Sequence, residues 1–137
     1  MAIKGDVEVA GFGPQQNPGT PMWSVYFHTD DATKTAELVT SNGGTVLFAP
    51  MQVMEAGHLA IFADPQGAAF SVWQPNQHRG FGEVNEPGTY CWAELTTPEL
   101  DAAKRFYGSV FGLTPRRATT RRWPTSSSSA TARALAA

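Results

Sequence analysis

Residues 57–75 read GHLAIFADPQGAAFSVWQP, and the fold turns on how this stretch is read. Asp64-Pro65-Gln66-Gly67 has Asp at the first corner of a type I turn, Pro with its preset φ at the second and Gly at the fourth. The flanking residues therefore read as two strands folded back on each other. Side chains alternate along the return strand, with Ala69, Ser71 and Trp73 pointing one way and Ala68, Phe70 and Val72 the other. One face is expected to meet a helix and the other to line a cavity or a partner.

Upstream, residues 45–48 read as a short strand and 50–57 as a loop, in which Met51 and Met54 serve as lid or gap filler. Before them, Asp30-Asp31 suits a helix start, where a carboxylate accepts orphan backbone N–H groups. Ala32, Ala36 and Val39 recur at i, i+4 and i+7, and Gly43-Gly44 supplies the stop, which predicts a helix over 31–42. The aromatic run MWSVYFHT (22–29) is the strand before it. Residues 22–75 thus order as strand, helix, strand, strand, strand. Residues 3–12, alternating around Val7 and Val9, read as one further strand, joined by the turn-rich PQQNPGTP. Downstream, 76–88 is a loop and 89–95 a strand. Thr97 and Pro98 then open a helix with Ala103, Phe106, Tyr107 and Val110 on one face and Gly112 at its end.

The chain has 137 residues, 42% hydrophobic and 11% aromatic, enough for one modest core. No apolar run approaches the roughly 20 residues of a membrane span, and the start, MAIKGDVEVA, has no secretory h-region; a cytoplasmic location is the expectation. The single cysteine, Cys91, lies between Tyr90 and Trp92 and reads as a small hydrophobe. The net charge of −2 divides unevenly: residues 1–113 hold five Lys/Arg against all twelve acids, a net −7, and 114–137 hold five Arg and no acid, a net +5. An acidic body argues against nucleic-acid binding. The tail 114–137 has no usable period and few large apolar groups, so it is expected to be disordered. Such an abrupt compositional switch also arises when a coding sequence is read out of frame.

Six motifs stand together: W-x-V-Y-F-x-x-D-D (23–31), G-G-x-V (43–46), D-P-x-G-A-x-F-x-x-W-Q-P (64–75), N-E-P-G (85–88), W-x-E-L-x-T (92–97) and F-Y-x-x-V-F-G (106–112). In combination they resemble the vicinal oxygen chelate superfamily, which holds glyoxalase I, bleomycin-resistance proteins, extradiol dioxygenases and many glyoxalase-like or hydroxylase-labelled actinobacterial proteins. The resemblance implies an α+β fold of βαβββ modules, each a curved mixed sheet with helices on one face. On that pattern 1–21 is the last strand of a preceding module plus linker, 22–75 a complete module, 76–88 a linker, 89–113 the first strand and helix of a further module, and 114–137 the tail. The chain is then incomplete at both ends.

Metal-dependent members of that superfamily place a His or Gln on the first strand and a Glu on the last strand of a module. Here those positions fall on Ser24 and Ser71, or on Trp23 with a one-residue slip, and the next module's first position falls on Trp92. No metal and no cofactor are therefore expected. The resemblance places Ser24, Tyr26, His28, Ser71, Trp73, Trp92 and Glu94 on the cup side, as ligand-binding candidates. Of these, His28 and Glu94 are the candidates for acid–base work: His28 for its titration near neutral pH, Glu94 for the burial an inward position would bring. Their bland alternatives are a strand-end histidine satisfied by Asp30 or water and an exposed strand carboxylate. His58 and His78, one opening a strand and one in a loop beside Arg79, have no metal spacing with His28.

The reading that follows is a protein binding a small organic molecule in an aromatic cup without metal. The rivals are an enzyme of the same superfamily (a glyoxalase-like lyase, dioxygenase or hydroxylase) and a truncated chain or scaffold that depends on a partner. Half a cup leaves an apolar face, so a homodimer is expected.

Overall fold

Asp64 makes the turn that the sequence predicts and does more than turn the chain. The Gly67 N–H donates to Asp64 O at 2.9 Å with Gly67 at φ +89°, and the carboxylate Oδ1 accepts from the N–H groups of Gln66 and Ala68, each at 2.9 Å. The computed structural model describes residues 1–15, 18–114 and the backbone of 130–134. Its elements are β1 (Ala2–Lys4), β2 (Val7–Ala10), β3 (Tyr26–His28), α1 (Ala32–Ser41), β4 (Thr45–Val53), β5 (Gly57–Ala63), β6 (Ala69–Pro75), β7 (Ala93–Thr97), α2 (Leu100–Phe111) and β8 (Ala130–Ala134).

The order β3-α1-β4-β5-β6 is the expected βαβββ unit. Its sheet runs β3-β6-β5-β4, with β3 parallel to β6 and the other pairs antiparallel, so the sheet is mixed. The chain is α+β. Helix α1 starts where the aspartates predict: Asp31 Oδ1 accepts from Lys34 N at 2.9 Å, and the Ala32 N–H donates to Gln74 Oε1 of β6 at 2.9 Å. It ends at Asn42, followed by Gly43 at φ +85°. Gly44 is required by crowding: a Cβ there would stand 2.7 Å from Val39 Cγ1 and 2.9 Å from Ala63 O.

Both helices cover one face of the sheet. Val39 of α1 and Phe106 and Val110 of α2 pack with Ala60, Phe62, Phe70 and Val72 in one buried cluster. Phe27 of β3 stacks on Phe111 of α2, centroids 4.5 Å apart, and meets Phe70 edge-on at 5.8 Å. Emptying a position such as Phe62, fully buried here, costs about 3–5 kcal/mol. Helix α2 thus completes the core on this face of the sheet. Its docking is polar as well: the Tyr107 hydroxyl donates to Asp64 Oδ2 at 3.1 Å, and the Thr97 hydroxyl donates to Gln66 Oε1.

Several boundaries differ from the sequence reading. Residues 3–12 form a hairpin, not one strand, because Gly5 at φ +61° turns the chain between β1 and β2. Only Tyr26–His28 of the run 22–29 joins the sheet, where β6 provides the parallel partner. Of the short strand and loop read over 45–57, residues 45–53 form one nine-residue strand with two register shifts and 54–56 turn into β5; Pro50 is accommodated because β4 is an edge. The strand placed at 89–95 lies at 93–97, and α2 is N-capped by Glu99 instead of Thr97, whose hydroxyl accepts from the Glu99 N–H at 3.3 Å. The tail expected to be disordered contributes β8, antiparallel to β7; the remainder of that expectation lies outside the described residues. Among the described residues no helix is long and apolar enough to cross a membrane.

Burial, then the charge of Asp64 and the hydrogen bond to it, hold the Tyr107 phenol well above its ordinary value of 10.0. The folded protein keeps a proton that the unfolded chain releases, so this contribution to stability is complete below about pH 10 and is lost as pH rises beyond it. Tyr107→Phe is expected to cost about 1–2 kcal/mol at neutral pH, since a buried carboxylate oxygen loses its donor. The same substitution should flatten the alkaline loss of stability, read from thermal midpoints of both proteins across about pH 9–11.

Candidate functional site

The face of the β3-β6-β5-β4 sheet away from the helices carries two cross-strand rows. Strand register places Tyr26, Ser71, Ile61 and Phe48 side by side, and His28, Trp73, Leu59 and Met51 in the next row. Because side chains alternate, these eight share one face, while Phe27, Val72 and Ala60 turn to the helices. Tyr26 is 50% exposed, Phe48 44% and Met51 43%, so the outer strands offer an accessible apolar and aromatic surface. Ser71 lies between Tyr26 and Ile61 at 1% exposure and forms the floor.

Trp73 is held in place at one end of this face. Its indole Nε1 donates to His78 O at 2.8 Å and its ring meets the His78 ring at 5.8 Å, nearly perpendicular. A Cβ on Gly57 would stand 2.8 Å from the Trp73 ring, so glycine there allows the indole to lie against β5. His78 Nδ1 is 3.1 Å from Glu8 Oε2, the Gly82 N–H donates to Glu8 O at 2.9 Å, and Lys4 pairs with Glu83 at 3.1 Å. The β1–β2 hairpin is thereby stitched to residues 78–83 beside Trp73, as a rim.

Of the residues predicted from sequence, Tyr26, His28, Ser71 and Trp73 come together on the open face. Ser24 is exposed and precedes β3, outside the ladder. Trp92, 53% exposed, and Glu94, also exposed, belong to the β7 region and its separate sheet with β8. The burial that suited Glu94 to acid–base work is thus missing, because β7 does not join the four-stranded sheet. Phe48, Met51, Leu59 and Ile61 were not among the sequence candidates. Alternation carried across the turn from Ser71 and Trp73 finds Ile61 and Leu59; the bulges in β4 hide Phe48 and Met51 from any such count.

A divalent ion of the kind the superfamily uses does not fit these donors. A buried serine hydroxyl, an exposed serine outside the strand and a tryptophan stand at the expected positions, where imidazole or carboxylate would be needed. His58 turns to the helix side, His28 to the open face and His78 to the rim. Among the described residues no three His, Cys, Asp or Glu side chains come together as a metal-binding group.

No protein-family model matches the chain. Over 105 residues it is 42% identical to "Anthracycline biosynthesis protein DnrV" of Streptomyces peucetius, a match covering 77% of the chain and 38% of the relative. "Anthracycline biosynthesis protein DauV" of Streptomyces sp. (strain C5) is similar at 40% over the same length. "Putative glyoxylase CFP32" of Mycobacterium tuberculosis is 38% identical over 119 residues, covering 83% of the chain and 45% of the relative. The chain spans less than half the length of these curated relatives.

Dialysed protein is expected to retain well below one equivalent of zinc, nickel, manganese or iron by elemental analysis. A full equivalent that survives dialysis and disappears in Ser71→Ala would contradict this reading of the donor set.

Proposed function

We propose that this chain, a glyoxalase-like homologue within the vicinal oxygen chelate superfamily, binds a small organic molecule on the open sheet face, in an aromatic cup without metal. The observation that carries this reading is the pair of cross-strand rows, in which Tyr26, Phe48, Met51 and Trp73 frame a floor at Ser71. Rings and a thioether offer a ligand stacking surface, each good aromatic contact being worth about 0.5–1.5 kcal/mol beyond the area buried. The names of the streptomycete relatives, which speak of anthracycline biosynthesis, accord with an organic small molecule as ligand.

A catalytic reading is favoured by one observation, the placement of His28 on the same face, beside Trp73. A glyoxalase-like lyase would use that imidazole to move a proton at a bound substrate. The name of the mycobacterial relative accords with this second reading.

The open face also bears on assembly. An accessible aromatic surface of this extent seldom stays bare in a monomer, and a two-fold pairing of open faces would enclose the cup from identical halves. Sedimentation equilibrium at micromolar concentration is expected to show a dimer; a monomer at that concentration argues for a cup closed within one chain.

Titration with 2-naphthol, followed by backbone amide shifts, is expected to perturb β3, β5 and β6. Tyr26→Ala and Phe48→Ala, both at exposed positions, should each weaken binding by roughly 2–10-fold. Shifts confined to the helices or to the β7 region would count against the open face as the site.

A further inference from the structure

The four strands of the central sheet, YFH, TVLFAPMQV, GHLAIFA and AFSVWQP, contain no Asp, Glu, Lys or Arg. At the rim beside Trp73, His78 Nδ1 lies 3.1 Å from Glu8 Oε2, and Lys4 is paired with Glu83.

We infer that the ligand of the open face is an uncharged planar ring compound, and that carboxylates, phosphates and acid-bearing thiol conjugates are excluded. The inference rests on the open-face reading above and narrows it to a chemical class. An anion laid across Tyr26, Ile61 and Phe48 loses water and meets no Lys or Arg in either row. Stripping a charge of solvent without a partner is strongly unfavourable. A cation meets no carboxylate in the two rows, and Tyr26 and Phe48 lie on opposite edge strands of the sheet, too far apart to cage one head group between their rings. A neutral ring system meets none of these penalties. It stacks on the outer aromatic side chains and Met51, with the Tyr26 hydroxyl and the His28 imidazole, both on β3, offering hydrogen bonds to a hydroxyl or carbonyl at its edge.

Matched probes of one shape test this: 2-naphthamide, 2-naphthoate and 2-naphthylmethylammonium, titrated into the full chain at pH 8 and followed by amide shifts on β3, β5 and β6. The amide is expected to bind at least about tenfold tighter than either ion. Met51→Lys places a cation at an exposed position of the second row and should bring naphthoate to the affinity of the amide or beyond. Arg79→Gln removes an exposed cation near the rim and should leave the preference unchanged. Naphthoate or the ammonium binding the unaltered protein as tightly as the amide, with shifts on the same strands, overturns the neutral-ligand assignment and leaves the open face standing. If none of the three probes perturbs those strands, the open-face reading fails and this assignment fails with it.

Discussion

A single carboxylate joins the two halves of the core. Asp64 is 3% exposed, and an anion so placed is tolerated only when its oxygens are occupied by donors. Two come from the turn it belongs to and the third from Tyr107, one turn before the end of α2. The hairpin supplies its own ladder and turn bonds, and α2 supplies the donor for the remaining oxygen of the Asp64 carboxylate. Because α2 brings Phe106, Val110 and Phe111 against the sheet, the same contact that satisfies the charge also closes the apolar layer. Local turn chemistry and long-range packing thus meet at one side chain.

That coupling joins segments far apart in the chain. By sequence, residues 89–113 look like the opening of a separate unit. In the structure β7 pairs with β8 in a sheet of its own, while α2 packs into the buried cluster of the four-stranded sheet. The helix side of the sheet is thus finished within the described residues, and the asymmetry between a packed face and an open one follows from which side α1 and α2 occupy.

The parts of the fold legible in the sequence were those fixed by short-range chemistry. Asp64 to Gly67 announced their turn, Asp31 its helix cap, and the alternation from Ala69 to Trp73 the two faces of β6. What stayed hidden depended on partners distant in the chain. Nothing within TVLFAPMQV distinguishes an edge strand that tolerates Pro50 from a loop that begins there; pairing with β5 decides it. The face shared by Tyr26, His28, Ser71 and Trp73 was readable from alternation and the resemblance together. The position of Glu94 was not, since it depends on whether β7 joins the main sheet.

The outer edge of β4 has a further consequence. A nine-residue strand bearing exposed Leu47 and Phe48 at the margin of a sheet is the kind of template on which other chains add strands and aggregate. Pro50 removes one backbone donor from it, and the two register shifts bend what would otherwise be a straight ladder. The irregularity that disguises this strand in the sequence also protects the folded protein, since a broken edge is harder to copy.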